Sequence, residues 1–499
     1  MISRILTHIV PTILLAALIL PVALAAQQVQ YQVIDMGTLG GPVSASGQGL
    51  ALSQHGAHAN WRGVTIGWSA TSNSTSSTSN PIVCGGVDGV VPYITVSFEW
   101  YNGVFTDLGA LPGGNNCSEP FWLNDKGEIV GTSENGKVDP YPNKNQTRAV
   151  VWKDGQIRDL GSFGGYQNAA QAINNHDQVA GFSLNTTPDP YSINEVLFLG
   201  APTGTQTRAF LWEKGTMKDL GTLGGDDAGA LLINKNGQIA GESYTSTIPD
   251  PVTGFPPIDP FLWEGDTMTD IGTFGGAIGF PTFLNNNGQV IGVSSPASDP
   301  GACFSETDRN CHPFLWDQTN GMIDLNTTTT GGKPLNAYVI NDSGEIIGQA
   351  DFSGNGGTGG EGYLWKNGVA TNLGRLQGDC FSGATFINSL GQIVGNSFTC
   401  KGQTLPHHPF LWENGTMTDL NTLIPANGPL ELVVATSIND RGEISGNGVP
   451  PGVDPKDVAT KGHAFLMIPC DEGGCQSDSS LSNRQLFRYD SKSDRRQLP

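Results

Sequence analysis

The chain has 499 residues, a formal net charge of −21 and 68 glycines, with charged residues at only 14%. So acidic a surface repels nucleic acid and anionic membranes, which excludes both as partners. Sparse charge, many turn residues and 37% hydrophobic residues describe a folded all-β protein rather than a disordered one.

The N-terminus carries one basic residue, Arg4, an apolar run from Ile9 to Leu20, then Pro21 and the small-residue string Ala23-Leu24-Ala25. That pattern predicts a signal peptide over residues 1–26, and a protein that is secreted or periplasmic. The apolar run is broken by Pro11 and is short for a span of about 20 residues. No later segment is apolar enough to insert in a membrane. Residues 27–469 are expected to form the folded unit, and residues 470–499 a short Cys-containing segment with a polar tail. Ser69 to Asn80 is rich in Ser and Thr and reads as a disordered loop.

An internal repeat sets the expected fold. Phe210-Leu211-Trp212-Glu213-Lys214-Gly215-Thr216-Met217-Lys218-Asp219-Leu220-Gly221 is followed by Ile233-Asn234-Lys235-Asn236-Gly237-Gln238-Ile239-Ala240-Gly241. The pair recurs from Phe261, Phe314, Tyr363 and Phe410, with weaker copies around Trp100 and Trp152. The first string reads as a hairpin turning at Lys-Gly, the second as a hairpin with Asn and Gly supplying positive φ. Four short strands per unit predict a β-propeller blade, with the Ile-Asn strand innermost and Asp-Leu-Gly outermost. Val33 to Gly37 supplies half of one hairpin and His463 to Met467 the other half. The expected architecture is therefore an all-β propeller of eight four-stranded blades, closed by pairing of the N- and C-terminal strands. The Asp-Leu-Gly-like segments number eight, at Asp35, Asp107, Asp159, Asp219, Asp270, Asp324, Asn372 and Asp419.

The string His463-Ala464-Phe465 and its copies resemble the HAF family of extracellular repeat proteins, over nearly the whole mature chain. His gives way to Arg148, Arg208 and Asp259 at the same repeat position. The resemblance implies a secreted repeat protein whose repeat carries fold rather than chemistry.

Eight cysteines in a secreted chain predict disulfides, and the propeller topology makes Cys84 with Cys117, Cys303 with Cys311, Cys380 with Cys400, and Cys470 with Cys475 reachable pairs. Long loops, such as Leu184 to Gln206 and Tyr244 to Ile258, share one face and collect Asp-Pro pairs. Asp-Pro initiates turns. It also offers carboxylates beside aromatic rings, so Asp139, Tyr141, Asp189, Tyr191, Tyr244 and Asp250 are candidate ligand-binding residues on an acidic rim. The repeated Asp of Asp-Leu-Gly and the Asn-rich turn at Asn341 read as structural. The histidines are isolated or adjacent, so neither metal nor cofactor is expected, and no Gly-x-Ser-x-Gly elbow, His-Glu-x-x-His string or phosphate-binding loop is present. The expected function is a non-catalytic scaffold that binds a carbohydrate or a protein. The alternative is a glycoside hydrolase or polysaccharide lyase, with Glu119, Asp226, Asp227 and Asp379 as the candidate carboxylates near the channel mouth.

Overall fold

The computed structural model describes residues 29–47, 59–81, 83–84, 91–114, 116–141, 143–303, 310–354, 360–400, 407–470 and 475. The predicted signal peptide and most of the polar tail lie outside the described residues. The fold is all-β, built from four-stranded antiparallel sheets. A typical sheet runs Ala228–Ile233, Ile239–Tyr244, Ile258–Glu264 and Thr267–Asp270 in order. The Ile-Asn strands of successive sheets, such as Asn168–Ile173 and Ala228–Ile233, lie against one another, and the Asp-Leu-Gly strand is the far edge. A single parallel bridge, Ile258 to Ile278, joins this sheet to the next. The first described strand, Tyr31–Asp35, pairs antiparallel with His463–Pro469, with Val33 opposite Met467 and Asp35 opposite Phe465.

Local chemistry explains why each repeat folds this way. Lys214 and Gly215 both take positive φ, 49° and 86°, which is the twist a two-residue hairpin turn needs. In the other hairpin only the Gly is left-handed, at 81° for Gly237. The Asn of that turn is there for its side chain. Asn234 Oδ1 accepts the amides of Asn236 and Gln238, and its Nδ2 donates to the Asn285 carbonyl in the next repeat at 3.0 Å. The same donation runs Asn60 to Asn124, Asn124 to Asn174, Asn174 to Asn234, Asn285 to Asn341, Asn341 to Asn388, Asn388 to Asn439, and Asn439 back to Asn60.

The glycine of Ile-Ala-Gly allows two elements to meet. A Cβ on Gly241 would lie 2.1 Å from the Gly229 carbonyl oxygen and 2.6 Å from Phe261 Cζ. The inner strand bulges at this level, between Ala230 and Leu232, and the Phe261 ring packs over the gap the glycine leaves. Phe98, Phe210, Phe261, Phe314, Phe410 and Phe465 are all fully buried in this position. They seed the apolar layers between sheets, for example Phe261 with Ala230, Ile233, Ile239 and Leu220. At the centre, Trp122 and Phe283 approach to 6.4 Å between ring centroids, although two sheets separate theirs.

The Asp of Asp-Leu-Gly is structural, as expected. One carboxylate oxygen accepts the amide two residues on, as in Asp219 with Gly221 at 2.8 Å. Ser69 to Asn80 departs from the disordered reading. Thr65–Ser74 is a strand, and Asn80 is 1% exposed, its amide donating to Glu134 and its side chain to Gln167. Buried partners order a segment whose composition alone suggests disorder.

Four disulfides join the predicted pairs: Cys84–Cys117, Cys303–Cys311, Cys380–Cys400 and Cys470–Cys475. No helix among the described residues is long and apolar enough to cross a membrane.

Candidate functional site

The predicted acidic rim is an interior feature. Asp139, Asp189 and Tyr244 are 0%, 4% and 0% exposed, while Tyr141, Tyr191 and Asp250 are half-buried. The cause is the Asx turn that Asp-Pro sets up. Asp139 Oδ1 accepts the Tyr141 amide and Asp189 Oδ1 the Tyr191 amide, which turns the second oxygen of each inward. Asp250 makes the equivalent turn with Val252. Tyr244 packs with Ile193 and Ile258, and its hydroxyl donates to the Tyr191 carbonyl at 2.7 Å.

The candidate catalytic carboxylates are likewise dispersed among separate partners. Asp227 accepts the Ile193 and Thr207 amides and faces Asp189; burial and the Asp189 charge raise its pKa well above the usual range. Asp226 accepts from Gln206 Nε2 at 3.1 Å. Glu119 is buried with no charged neighbour, and desolvation pushes it up to about 8. Sequence reasoning missed its counterpart Glu242, which burial also pushes up to about 8. The signal was available: Glu242 sits between Gly241 and Ser243 in a strand that is apolar on both faces.

Asp379 has a different setting. At the repeat position before Ala-Phe, Pro-Phe or, in one copy, Ala149-Val150, Arg148 pairs with Asp159, Arg208 with Asp219, His312 with Asp324 and His463 with Asp35, each using the Asp of its own sheet's edge strand. His408 breaks that rule. Its Nδ1 bonds Asp379 Oδ2 at 2.8 Å, on the link that enters the sheet, while Asp419 caps the Asn421 amide as the other edge-strand Asp residues cap theirs. The Asp379 side chain is 2% exposed and the His408 side chain 41%. In the two regular His–Asp pairs both partners are evenly half-covered, at 22% and 18% for His312 and Asp324. A buried carboxylate holding Nδ1 fixes the tautomer and leaves Nε2 as the free ring nitrogen of an exposed imidazole. The support is rigid. The Asp379 amide donates to the Leu376 carbonyl, the Cys380 amide to the Phe398 carbonyl, and Cys380–Cys400 clamps the segment.

Among the described residues, the one grouping of three or more His, Cys, Asp or Glu with metal-ligand spacing is Cys84, Cys117 and Glu134. Its two sulfurs are joined to each other.

No protein-family model and no curated protein matches the chain. Among solved structures it is similar to an acylaminoacyl peptidase of Pyrococcus horikoshii, at 12% identity and a TM-score of 0.39, covering 78% of this chain and 56% of that one. It is similar to the β-propeller domain of the trilobed protease from Pyrococcus furiosus, at 10% identity and 0.38, covering 78% and 95%. It is also similar to dipeptidyl peptidase 4 of Porphyromonas gingivalis, at 10% and 0.41, covering 79% and 57%. The chain thus spans little more than half the length of the two whole peptidases. Likeness at this level concerns the fold. The expectation of a non-catalytic binding scaffold is corrected: Asp139, Asp189 and Tyr244, assigned to its ligand-facing rim, are buried, and the solved structures the chain is similar to include peptidases.

Proposed function

We propose that the chain is a secreted eight-bladed β-propeller, closed by its N- and C-terminal strands, that acts as a hydrolase with His408 as general base and Asp379 as its orienting carboxylate. The asparagine circuit supports the blade count and the closure, because eight repeats hand one hydrogen bond around and Asn439 returns it to Asn60. The four disulfides and the predicted signal peptide support secretion, and the Ala-Phe strands fit the HAF repeat.

The enzymatic reading rests on one observation: His408 alone, among the paired histidines described, takes a buried carboxylate from outside the repeat pattern and keeps its own ring exposed. In the proposed reaction Nε2 takes a proton from water, and the water oxygen attacks an acyl carbon. Asp379 stabilises the imidazolium, which then returns the proton to the leaving group. A histidine base suits esters and amides, whereas glycosides call for two facing carboxylates, which Glu119, Asp226, Asp227 and Asp379 do not form. The net charge of −21 favours neutral or cationic substrates.

The test is a screen of the purified protein on chromogenic esters and peptides, beside His408→Gln, Asp379→Asn and His312→Gln. Turnover should fall roughly 100-fold or more in His408→Gln, less in Asp379→Asn, and stay unchanged in His312→Gln. Absence of turnover, or turnover indifferent to His408→Gln, overturns the proposal.

A further inference from the structure

Two buried acid pairs on the loop-bearing face stand apart from the His408 site. Asp139, at the end of the Ile129–Asp139 strand, faces Glu195, in the π-helical turn Ile193–Phe198 of the following sheet's long loop. Asp189, at the end of the Val179–Asp189 strand, faces Asp227, on the link into the sheet after that. The turn therefore sits between two carboxylate pairs, each linking neighbouring sheets.

The donors can be counted. Asp227 accepts the Ile193 and Thr207 amides, at 2.6 and 2.9 Å. Asp139 accepts the Tyr141 amide and Gln167 Nε2, at 2.9 and 2.7 Å. Asp189 Oδ1 accepts the Tyr191 amide, and Glu195 Oε2 the Thr205 amide. What is left is Asp189 Oδ2 and Glu195 Oε1, both buried and both without a donor. Each pair has a single oxygen unaccounted for, which is what one shared proton requires. A calcium shell would need six to eight oxygens.

The repeat contains its own control. Gln167 occupies the position of Asp227, just before the strands Asn168–Ile173 and Ala228–Ile233. There the amide donates to Asp139, which occupies the position of Asp189. Where the sequence has Gln the bond needs no proton; where it has Asp it does.

We infer that two shared protons, Glu195 to Asp139 and Asp189 to Asp227, clasp the 192–204 segment to the flanking sheets, making it a strap that loosens as pH rises. Other groups facing the pairs do not supply the missing charge. Tyr244 lies by Asp189 and Asp227, with Glu242 two residues before it in the same strand, and Glu134 reaches the other pair through Asn80 and Gln167. Arg208 is committed to Asp219 and the Asp226 carbonyl. Burial and the neighbouring carboxylates hold Glu195 at about 8 and Asp227 well above its usual value, the same direction as the geometry. Losing either proton places two negative charges against each other in a buried site. The strap then lifts and uncovers the Ile193, Tyr244 and Ile258 cluster.

Hydrogen exchange on the full chain, corrected for intrinsic base catalysis, tests this at pH 6 and pH 10. Protection of Val196, Leu197, Leu199 and Ala201, whose amides bond within the strap, should fall at least tenfold. Protection of Phe210, Leu211 and Trp212, in the ladder with Val179 to Gly181, should stay constant. Glu195→Gln and Asp189→Asn, singly and together, supply an amide donor that does not titrate, as Gln167 does to Asp139, and should retain protection at pH 10. Should either variant misfold, the wild-type profile decides alone. Unchanged strap protection to pH 10 overturns the inference, as does a fall shared equally by the amide variants. Protection restored at pH 10 by 1 mM Ca²⁺ overturns it in favour of a cation.

Discussion

If the asparagine circuit holds the repeats together, cutting it at one point has a calculable cost. Asn234 is 5% exposed and makes four bonds with its side chain: to the Asn285 carbonyl at 3.0 Å, to Gln238 Oε1 at 2.7 Å, and from the Asn236 and Gln238 amides at 3.0 and 3.1 Å. Asn234→Ala removes all four. With a net contribution of about 1 kcal/mol per bond, and a buried Asn285 carbonyl left short of a donor, the loss comes to about 3–4 kcal/mol. Asn234→Asp dissects it. That variant keeps both accepted amides but turns a carboxylate oxygen toward a carbonyl, so it should be at least as damaging as the alanine. The assay is urea unfolding followed by tryptophan fluorescence and by far-UV circular dichroism, because so large a repeat array can lose two-state behaviour. A loss below about 1 kcal/mol in Asn234→Ala, or a benign Asn234→Asp, would show the circuit to be a passive consequence of packing.

Glu119 and Glu242 should make the protein alkali-sensitive. Their folded pKa values of about 8 exceed the unfolded values of about 4.3, so their contribution is intact below about pH 4 and lost as pH rises through about 8. At about 1.4 kcal/mol per unit this comes to about 5 kcal/mol per residue as an upper bound, and Glu119→Gln with Glu242→Gln should flatten the urea midpoint between pH 5 and 9.5. Gly241→Ala forces a methyl against the Gly229 carbonyl and the Phe261 ring, and should cost about 2–4 kcal/mol or abolish soluble expression. Reducing Cys380–Cys400, which closes 20 residues, removes about 3 kcal/mol of chain-entropy stabilisation. Exchange should quicken at Cys380 while the Phe410 strand stays protected, a pattern measurable by mass spectrometry.

Much of the fold is legible because the repeat states it several times over. Lys214-Gly215 announces a two-residue turn, and Ile239-Ala240-Gly241 a strand crossed closely by another. The cysteine pairs follow from the topology once strand order is known. What does not follow is which face of a loop looks inward. Asp139-Pro140-Tyr141 looks like a solvent-facing turn with an aromatic beside it, and it is a turn. Yet the Asx bond to Tyr141 commits one oxygen and directs the other to Gln167 inside the protein. Composition reports that the carboxylates are numerous; only the backbone path decides which are desolvated. The asparagine illustrates the opposite error. Its place in the turn is readable from sequence, but its hydrogen bond reaches a carbonyl 51 residues away.

A repeated position also acts as a record of substitution within one molecule. Before the buried Phe, the residue is Arg at 208, Asp at 259, His at 312 and 408, and its natural partner is the edge-strand Asp. Arg208 satisfies that Asp with a charge-assisted pair. Asp259 meets Asp270 as a second acid, and burial with the Asp270 charge raises it to about 7. His312 keeps the regular pair, and His408 abandons it for Asp379. The backbone is the same in each case, so the differences belong to the side chains. Where the repeat rule is obeyed, a group serves the fold that all copies share. Where one copy breaks the rule while keeping its strands, the fold that all copies share does not by itself account for the residue. By that criterion His408 with Asp379, Asp259 facing Asp270, and Asp227 in place of Gln167 are sites at which substitution should change what the protein does more than how firmly it is folded.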